Sequence, residues 1–247
     1  MSETFSLGRP PIVSAGTGVS LETTAGEVRA LSDTNLFEIE HLLRDAADGS
    51  GLSSKRVEGA DGWSVIAQSE AVRASFDGDG LFLTSLREGT EYDGFDALRD
   101  RSVELVARFR ERLPERTIGE TLVTFVDAMR LPAGESLADS SSRHLTIFPT
   151  GLPSEFRGES RSDRRRVEVE DGDWSLTLDA ESTAGSGSSE DELGPYVRLY
   201  WYVINTRSPK PDDALAAYFD ESHERLLRAF RSVFTDAGWA LLNPRPH

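Results

Sequence analysis

The fold of this chain is decided by the stretch Arg166-Val-Glu-Val-Glu-Asp-Gly-Asp-Trp-Ser-Leu-Thr-Leu178, because a similar stretch occurs earlier in the sequence. Residues 56–66 read Arg-Val-Glu-Gly-Ala-Asp-Gly-Trp-Ser-Val-Ile. Both stretches contain Arg-Val-Glu, then Asp-Gly, then Trp-Ser followed by β-branched or leucine residues. Asp-Gly between two β-rich runs is typical of a tight hairpin. We therefore interpret the chain as two diverged copies of one α+β unit.

The repeated unit is predicted to consist of a strand, a helix, several antiparallel strands and a long helix that packs across the sheet. The first pseudo-repeat covers residues 1–114 and the second covers residues 115–247. Neither copy alone would bury both faces of its sheet. We therefore expect the two copies to pack together as one globular body, with the helices on a curved antiparallel sheet.

In the first copy, hydrophobic periodicity, cap residues and turn residues predict the order of the elements. The two short strands are expected to pair as antiparallel neighbours because Asp77-Gly-Asp-Gly80 separates them. The predicted elements are a strand over residues 12–21, a helix over residues 32–45, strands over residues 71–76 and 81–86, and a long helix over residues 93–113.

The second copy repeats this order with longer polar insertions. Its predicted elements are strands over residues 122–126 and 144–148, a short helical segment between them, a polar irregular region over residues 149–166, a strand over residues 196–205, and a helix from Pro211 to Gly238. The run Tyr200-Trp-Tyr-Val-Ile204 leaves neither face of its strand polar. Such a strand is central in the sheet, or one of its faces meets another chain. The apolar stripe of the last helix includes His223 and Leu227.

Composition restricts the classes of function. The chain has 43 acidic and 27 basic residues, and its net charge of −16 disfavours non-specific adhesion to nucleic acid or anionic membrane. It has no cysteine, which excludes disulfides, thiolate metal sites and cysteine nucleophiles. The first residues lack a basic start followed by an apolar run, and no apolar stretch approaches membrane-spanning length. We therefore expect a soluble, cytoplasmic protein.

Three features carry a resemblance to a known family. They are Tyr92-Asp-Gly-Phe95 at the first long helix, the strand Leu122-Val-Thr-Phe-Val-Asp127, and Glu221-Ser-His223 followed by Ala229-Phe230 in the last helix. With these features the whole chain resembles a sporadically distributed, uncharacterised family of prokaryotic proteins of similar length. That family has no established activity, so the resemblance implies no site residue. Its scattered occurrence is similar to that of mobile or conflict-related genes, which implies an accessory component of a mobile or defence-related gene system.

Glu38, His41 and Asp45 project from one side of the first predicted helix, because they are spaced three and four residues apart. Glu-x-x-His is the spacing found in carboxylate-bridged metal sites, but such a site needs further pairs, and Asp220-x-x-His223 is the only other one. A solvated helix face explains the first set more simply. We predict no metal and no other cofactor.

No catalytic set is predicted either. Asp139-Ser-Ser-Ser-Arg-His144 gathers hydroxyls, an acid and an imidazole, but residues adjacent in sequence rarely form a catalytic triad. The chain also lacks a Gly-x-Ser-x-Gly nucleophile elbow. A polar turn before a strand accounts for the segment.

Two sets of residues are candidates for binding. The first is a concentration of arginines that could grip phosphate, RNA or an acidic protein surface, although a solvated loop paired with nearby acids explains it more simply. The second is aromatic and could line an apolar pocket or an interface. The arginines are Arg157, Arg161, Arg164, Arg165 and Arg166, and the aromatic residues are Trp63, Trp174, Tyr200 and Tyr202.

These features favour a non-enzymatic binding or assembly protein that acts through protein partners. One alternative is a small-molecule-binding or hydrolytic protein whose helix-over-sheet fold encloses an aromatic pocket. A further alternative is contact with nucleic acid through the arginine-rich loop, for which the acidic composition is unfavourable. The identity of the partner and the oligomeric state stay open.

Overall fold

A computed structural model describes most of the chain. The described ranges are residues 5–7, 12–23, 33–47, 54–59, 62–86, 94–114, 116–132, 137–148, 162–183, 195–209, 214–242 and 244–246. In residues 5–7, 23, 33–35, 54–59, 62–63 and 244–246 the description covers the backbone only.

Helices and strands alternate along the described residues as expected for an α+β protein. The helices are α1 (Asp33–Ala46), α2 (Phe95–Arg112), α3 (Leu137–His144), α4 (Leu215–Ser232) and α5 (Asp236–Leu241). The strands are β1 (Phe5–Leu7), β2 (Ile12–Thr23), β3 (Ser54–Gly59), β4 (Gly62–Gln68), β5 (Val72–Phe76), β6 (Gly80–Leu86), β7 (Arg116–Arg130), β8 (Ser162–Asp171), β9 (Trp174–Thr183), β10 (Tyr196–Asn205) and β11 (Pro244–Pro246). None of these helices is both long enough and apolar enough to cross a membrane.

Nine strands form one sheet in the order β3-β4-β5-β6-β2-β7-β10-β9-β8. All neighbouring strands in it are antiparallel. The pairing of β2 with β7 joins the strands of the N-terminal half to those of the C-terminal half. A separate two-stranded ribbon pairs β1 with β11. The predicted α+β class with an antiparallel sheet is confirmed.

The helices cover one face of this sheet. α1 packs on β4 and β5, α2 on β2 and β6, and α4 on β7 and β10. α2 also contacts α1 and α4, while α3 contacts β9 and α5. Side-chain contacts identify the covered side, because Ser102 of α2 is hydrogen-bonded to Thr17 of β2 and Phe230 of α4 packs on Trp201 of β10. No described helix packs on the opposite side, which we call the open face.

The core lies between the sheet and the helices. On β10, Val197, Leu199, Trp201 and Val203 are at most 1% exposed. Because successive side chains of a strand point to opposite faces, the residues between these four lie on the open face. Tyr202, next to Trp201 in the chain, is 40% exposed. The strand over residues 196–205 is therefore central, as predicted, and only one of its two apolar faces is covered by described helices.

Three predicted elements of the second copy differ from the structure. Residues 144–148 do not form a strand, because Leu145 makes only an isolated bridge to Phe234 within a turn. The last long helix ends at Ser232 rather than at Gly238, and Thr235 caps the separate helix α5 by accepting a hydrogen bond from the Gly238 amide at 3.1 Å. The predicted irregular region is a strand from Ser162 onward, while residues 149–161 lie outside the described part of the chain.

The two halves of the sheet follow a similar order. The first half runs through β2, α1, the strands β3 to β6 and α2, and the second through β7, α3, the strands β8 to β10 and α4. The two hairpins that carry the similar sequences lie at opposite ends of the sheet. Counted from the β2–β7 pairing, however, β4 with Trp63 is the fourth strand and β9 with Trp174 is the third. The two sequences are therefore not at equivalent positions, and the internal duplication stays a prediction.

Gly238→Ala should destabilise the protein, because a Cβ atom at this position would lie 2.0 Å from the backbone carbonyl oxygen of His144. Backbone cannot rotate away, so α5 would have to shift relative to α3. We expect a loss of about 1–3 kcal/mol in the free energy of unfolding, measured by denaturant titration. Ala237→Ser, on the exposed side of the same helix, is the control and should change it by less than about 0.5 kcal/mol. Equal stability of the two variants would contradict the close packing of α5.

Candidate functional site

The open face brings together residues from both predicted binding sets. Arg166 is the cross-strand partner of Asp179, and Asp179 is the cross-strand partner of Tyr200. Cross-strand partners lie on the same face of a sheet, so these three side chains form a row across β8, β9 and β10. Arg164 and Tyr202 share this face because they are two residues from Arg166 and Tyr200 along their strands.

The arginines on β8 are held by carboxylates. Arg164 binds Asp179 through two nitrogens, with Nε 2.9 Å from Oδ1, and this bond holds the pKa of Asp179 below its ordinary value. The Nη2 atom of Arg166 lies 2.5 Å from Oε1 of Glu168. Arg165 points to the helix-covered side and pairs with Asp163 at 3.2 Å. These ion pairs match the predicted alternative in which nearby acids pair with the arginines. The arginines, however, lie on a strand instead of a loop.

Arg157 and Arg161 lie outside the described residues.

Aromatic side chains dominate the open face of β10. Tyr196, Tyr200 and Tyr202 follow one another at alternate positions, and Arg198 between them donates a hydrogen bond from Nε to the Tyr196 hydroxyl at 3.2 Å. On the adjacent strand β7, the open-face residues opposite β10 are the exposed Arg130 and four half-buried residues, Leu122, Thr124, Val126 and Ala128. Tyr196 and Arg198 were not among the predicted site residues. Their spacing of four and two residues from Tyr200 is the sequence signal that could have identified them.

The aromatic character of the open face continues on β6, beyond the β2–β7 pairing. The ring of Phe82 lies over two glycines, because a Cβ atom at Gly18 would lie 2.3 Å from it and one at Gly80 would lie 2.5 Å from it. Glycine at these positions allows the ring to lie flat on the sheet. A side chain at position 18 or 80 would clash with the Phe82 ring.

The aromatic residues proposed for a single pocket do not meet. Trp201 pairs with Leu178 across β10 and β9, so the even-numbered residues of β9, including Trp174, face the helices with Trp201. Tyr200 and Tyr202 lie on the opposite face. Trp63 is in β4, at the far end of the sheet, and its side chain is not described. The prediction that Trp174, Tyr200 and Tyr202 could line one pocket is therefore wrong, because the cross-strand register separates them.

Glu38, His41 and Asp45 have ordinary surroundings in α1. The ring of His41 packs edge-on against Phe37, with ring centroids 4.5 Å apart, and Asp45 forms an ion pair with Arg108 at 2.7 Å. Among the described residues, no group of three or more His, Cys, Asp or Glu side chains could hold a metal ion. Glu38 therefore has no described partners that would complete a metal site.

His223 and Asp220, both in α4, contact residues of α2. The His223 ring stacks on both Phe95 and Phe125, with ring centroids 3.9 and 5.5 Å away, and burial lowers its pKa to about 4. The half-buried ring is neutral at pH 7. The Asp220 carboxylate lies 2.8 Å from the Arg99 guanidinium and thereby joins α4 to α2.

The serine-rich helix α3 contains no nucleophile and base in contact. His144 is buried, and its Nδ1 atom lies 2.7 Å from the Ser140 carbonyl oxygen. Ser142 donates its hydroxyl hydrogen to the Asp139 carbonyl oxygen at 3.1 Å. Neither contact links a serine hydroxyl to an imidazole nitrogen, which nucleophilic catalysis would need.

Asp127 is the most unusual titratable group in the described core. It lies on the helix-covered side of β7 and is 2% exposed, and Trp201 donates a hydrogen bond to it from Nε1 at 2.9 Å. Burial raises the pKa of this carboxyl group to about 7. Asp127 was not a predicted site residue, although it lies two and four residues from the core residues Phe125 and Val123 and therefore on the same face of the strand. It has no access to a substrate, so we interpret it as structural.

No protein-family model matches the chain, and no curated protein matches it.

Asp127→Asn should change how stability depends on pH. The carboxyl group titrates near 3.8 in an ordinary setting but near 7 in the fold, so the folded protein loses stability as the pH rises from about 4 to about 7. Asparagine keeps an acceptor for Trp201 and cannot ionise. The stability of the variant relative to the parent should therefore rise across this range by on the order of 2 kcal/mol, measured by urea titration.

His223→Phe is the opposite case and the matched control. The imidazole titrates near 6.5 in an ordinary setting but near 4 in the fold, so the parent loses stability as the pH falls through this range. Phenylalanine keeps the stacking on Phe95 and Phe125 without a titrating group. Its stability relative to the parent should rise towards low pH. Parallel pH profiles for the parent and both variants would show that neither group is buried as described.

Proposed function

We propose that this protein is a non-enzymatic binding or assembly protein that engages a protein partner through the open face of its sheet. The observation that supports this is the row Tyr196, Tyr200 and Tyr202 on β10, with Arg198 between the rings. An antiparallel sheet covered on one side usually carries polar residues on the other. Here the centre of the uncovered side is aromatic and aliphatic.

The residue types on this face match those of protein interfaces. Tyrosine and arginine are enriched at interfaces, and they supply most of the residues that dominate binding energy. Tyr202 is 40% exposed, and the aliphatic side chains of Leu122 and Val126 lie beside it on β7. Rigid strands hold these side chains in place, so few rotamers would be lost on binding.

The charges of the open face favour a protein over a nucleic acid. On β8, β9 and β10 it carries three arginines and four carboxylates, which leaves no net positive charge for phosphates. The arginines are Arg164, Arg166 and Arg198, and the acids are Glu168, Glu170, Asp179 and Glu181. Mixed charges around an aromatic centre suit a protein surface of complementary pattern.

The family resemblance is the basis for a proposal about the gene system to which the protein belongs. We propose that the protein is an accessory component of a mobile or defence-related gene system, and that its two halves arose by internal duplication. The similar order of elements on either side of the β2–β7 pairing supports the duplication.

Tyr202→Glu tests the proposed function. The tagged protein is expressed in its native cells, and its partners are quantified by mass spectrometry after purification. A charged side chain at the centre of a tyrosine-rich interface should cost at least about 2 kcal/mol, so recovery of a stoichiometric partner should fall more than tenfold. Sedimentation of the pure protein distinguishes a second copy of the chain from a different partner.

Leu227→Glu provides the matched control. Leu227 was predicted to be buried in the last helix, but it is 41% exposed on α4, as much as Tyr202 is on the open face. This variant should keep its partner and its thermal stability. If both variants retain the partner, or if both lose it, the open face is not the binding surface.

A further inference from the structure

We propose that a second site, on the helix-covered side of the sheet, binds an anionic amphiphile, meaning a molecule with an alkyl chain and one negatively charged head group. The site is the pocket between α4 and the β8–β9 hairpin. It lies on the opposite side of the sheet from the open face, so this inference does not depend on the proposed function.

The pocket exists because the two halves of the sheet are covered unequally. In the first half, α1 packs on β4 and β5, and Val65, Ala67 and Phe76 beneath it are at most 5% exposed. In the second half, Val167 and Val169 on β8 are 40% and 50% exposed, and both line the pocket. α3 contacts β9 but no described helix covers these valines. Apolar surface is therefore left open where the other half has a helix.

The floor of the pocket is apolar, and the pocket is large enough for a small molecule. Its volume is about 580 Å³, within the range of ligand sites in proteins. The floor and walls are formed by Trp174, Leu176, Leu178, Trp201, Val203 and Val233. Two of these residues are tryptophans, so occupancy of the pocket would alter the intrinsic fluorescence of the protein.

Two arginines of α4 give the rim a positive charge. The Nη1 atom of Arg225 lies 3.0 Å from Oδ2 of Asp171, and its guanidinium lies 4.5 Å from the centre of the Trp174 ring, so its position is fixed. Arg228 is exposed and makes no hydrogen bond or ion pair with any described residue. With two arginines and one aspartate, the rim is left with one positive charge. A guanidinium binds carboxylate or phosphate groups through paired hydrogen bonds.

The remaining polar groups of the pocket restrict the ligand to a single polar end. The hydroxyl of Thr146 donates to the Ser232 carbonyl oxygen at 3.1 Å, and the hydroxyl of Ser232 donates to the Ala229 carbonyl oxygen at 2.7 Å. Both donors are thus used within the fold. A nucleotide or sugar would leave its polar groups unpaired against the apolar walls, whereas an alkyl chain would not. A ligand with one anionic head group at the positively charged rim and one alkyl chain against the apolar walls would fit both parts of the pocket.

The test titrates the purified full chain with octanoate, decanoate and dodecanoate, below their micelle-forming concentrations, with calorimetry and tryptophan fluorescence as readouts. Each pair of added methylene groups should tighten binding by roughly tenfold while the tail fits inside. Dodecanol, which has the same tail without the charge, should bind at least about tenfold more weakly than dodecanoate.

Three variants assign this binding to the pocket. Arg228→Gln should lose most of the preference for dodecanoate over dodecanol and keep the dependence on chain length. Arg110→Gln removes an exposed arginine of α2 and should behave as the parent. Ala229→Trp should fill the pocket and abolish binding of both ligands; should it fail to fold, the comparison of Arg228→Gln with Arg110→Gln still decides. Affinity independent of chain length, or equal head-group preference in the parent and Arg228→Gln, would overturn the proposal.

Discussion

Helices α1, α2, α3 and α4 pack on one face of the nine-stranded sheet and bury most of its described residues up to β9, and this one-sided cover decides which side chains of these strands reach solvent. Apolar burial drives the packing, since the core residues of β10 are at most 1% exposed. The cover is continuous over the β2–β7 pairing, where α2 and α4 meet and Arg99 binds Asp220. Both candidate sites follow from this cover. One is the aromatic side of the sheet that the described helices leave free, and the other is the gap beside α4.

The same packing explains why several suggestive side chains have structural roles. His223, Asp127 and His144 all carry groups that catalysis could use, yet each contacts a partner within the fold, and Asp127 and His144 are buried. A buried carboxyl group bonded only by an indole N–H stays neutral more readily than it ionises. Titration of such a group makes the stability of the fold depend on pH.

The sequence predicted correctly whether a segment is a helix or a strand where its hydrophobic periodicity was long and unbroken, as for α2, β2 and β10. The prediction of element type failed at residues 144–148, because Leu145, Thr146 and Ile147 alternate between apolar and polar as a strand would, but they lie in an isolated bridge and a turn. The candidate sites were predictable only in part. Which tyrosines and tryptophans share a face depends on the register between β9 and β10, and a register is set by long-range pairing that no local pattern records. For the same reason Arg164 and Arg166 share a face of the sheet with Tyr200 while Arg165 lies on the opposite face.

Hydroxyl-radical footprinting of the isolated protein, with mass spectrometry of the peptide that contains residues 201 and 202, tests the one-sided cover most directly. Both side chains react readily with radicals, so accessibility decides the outcome. Trp201 is 1% exposed beneath the helices and should be protected, whereas Tyr202 is 40% exposed and should be modified. Protection of both residues in the free protein would mean that the sheet is covered on both faces, and the account of an aromatic binding surface would then be wrong.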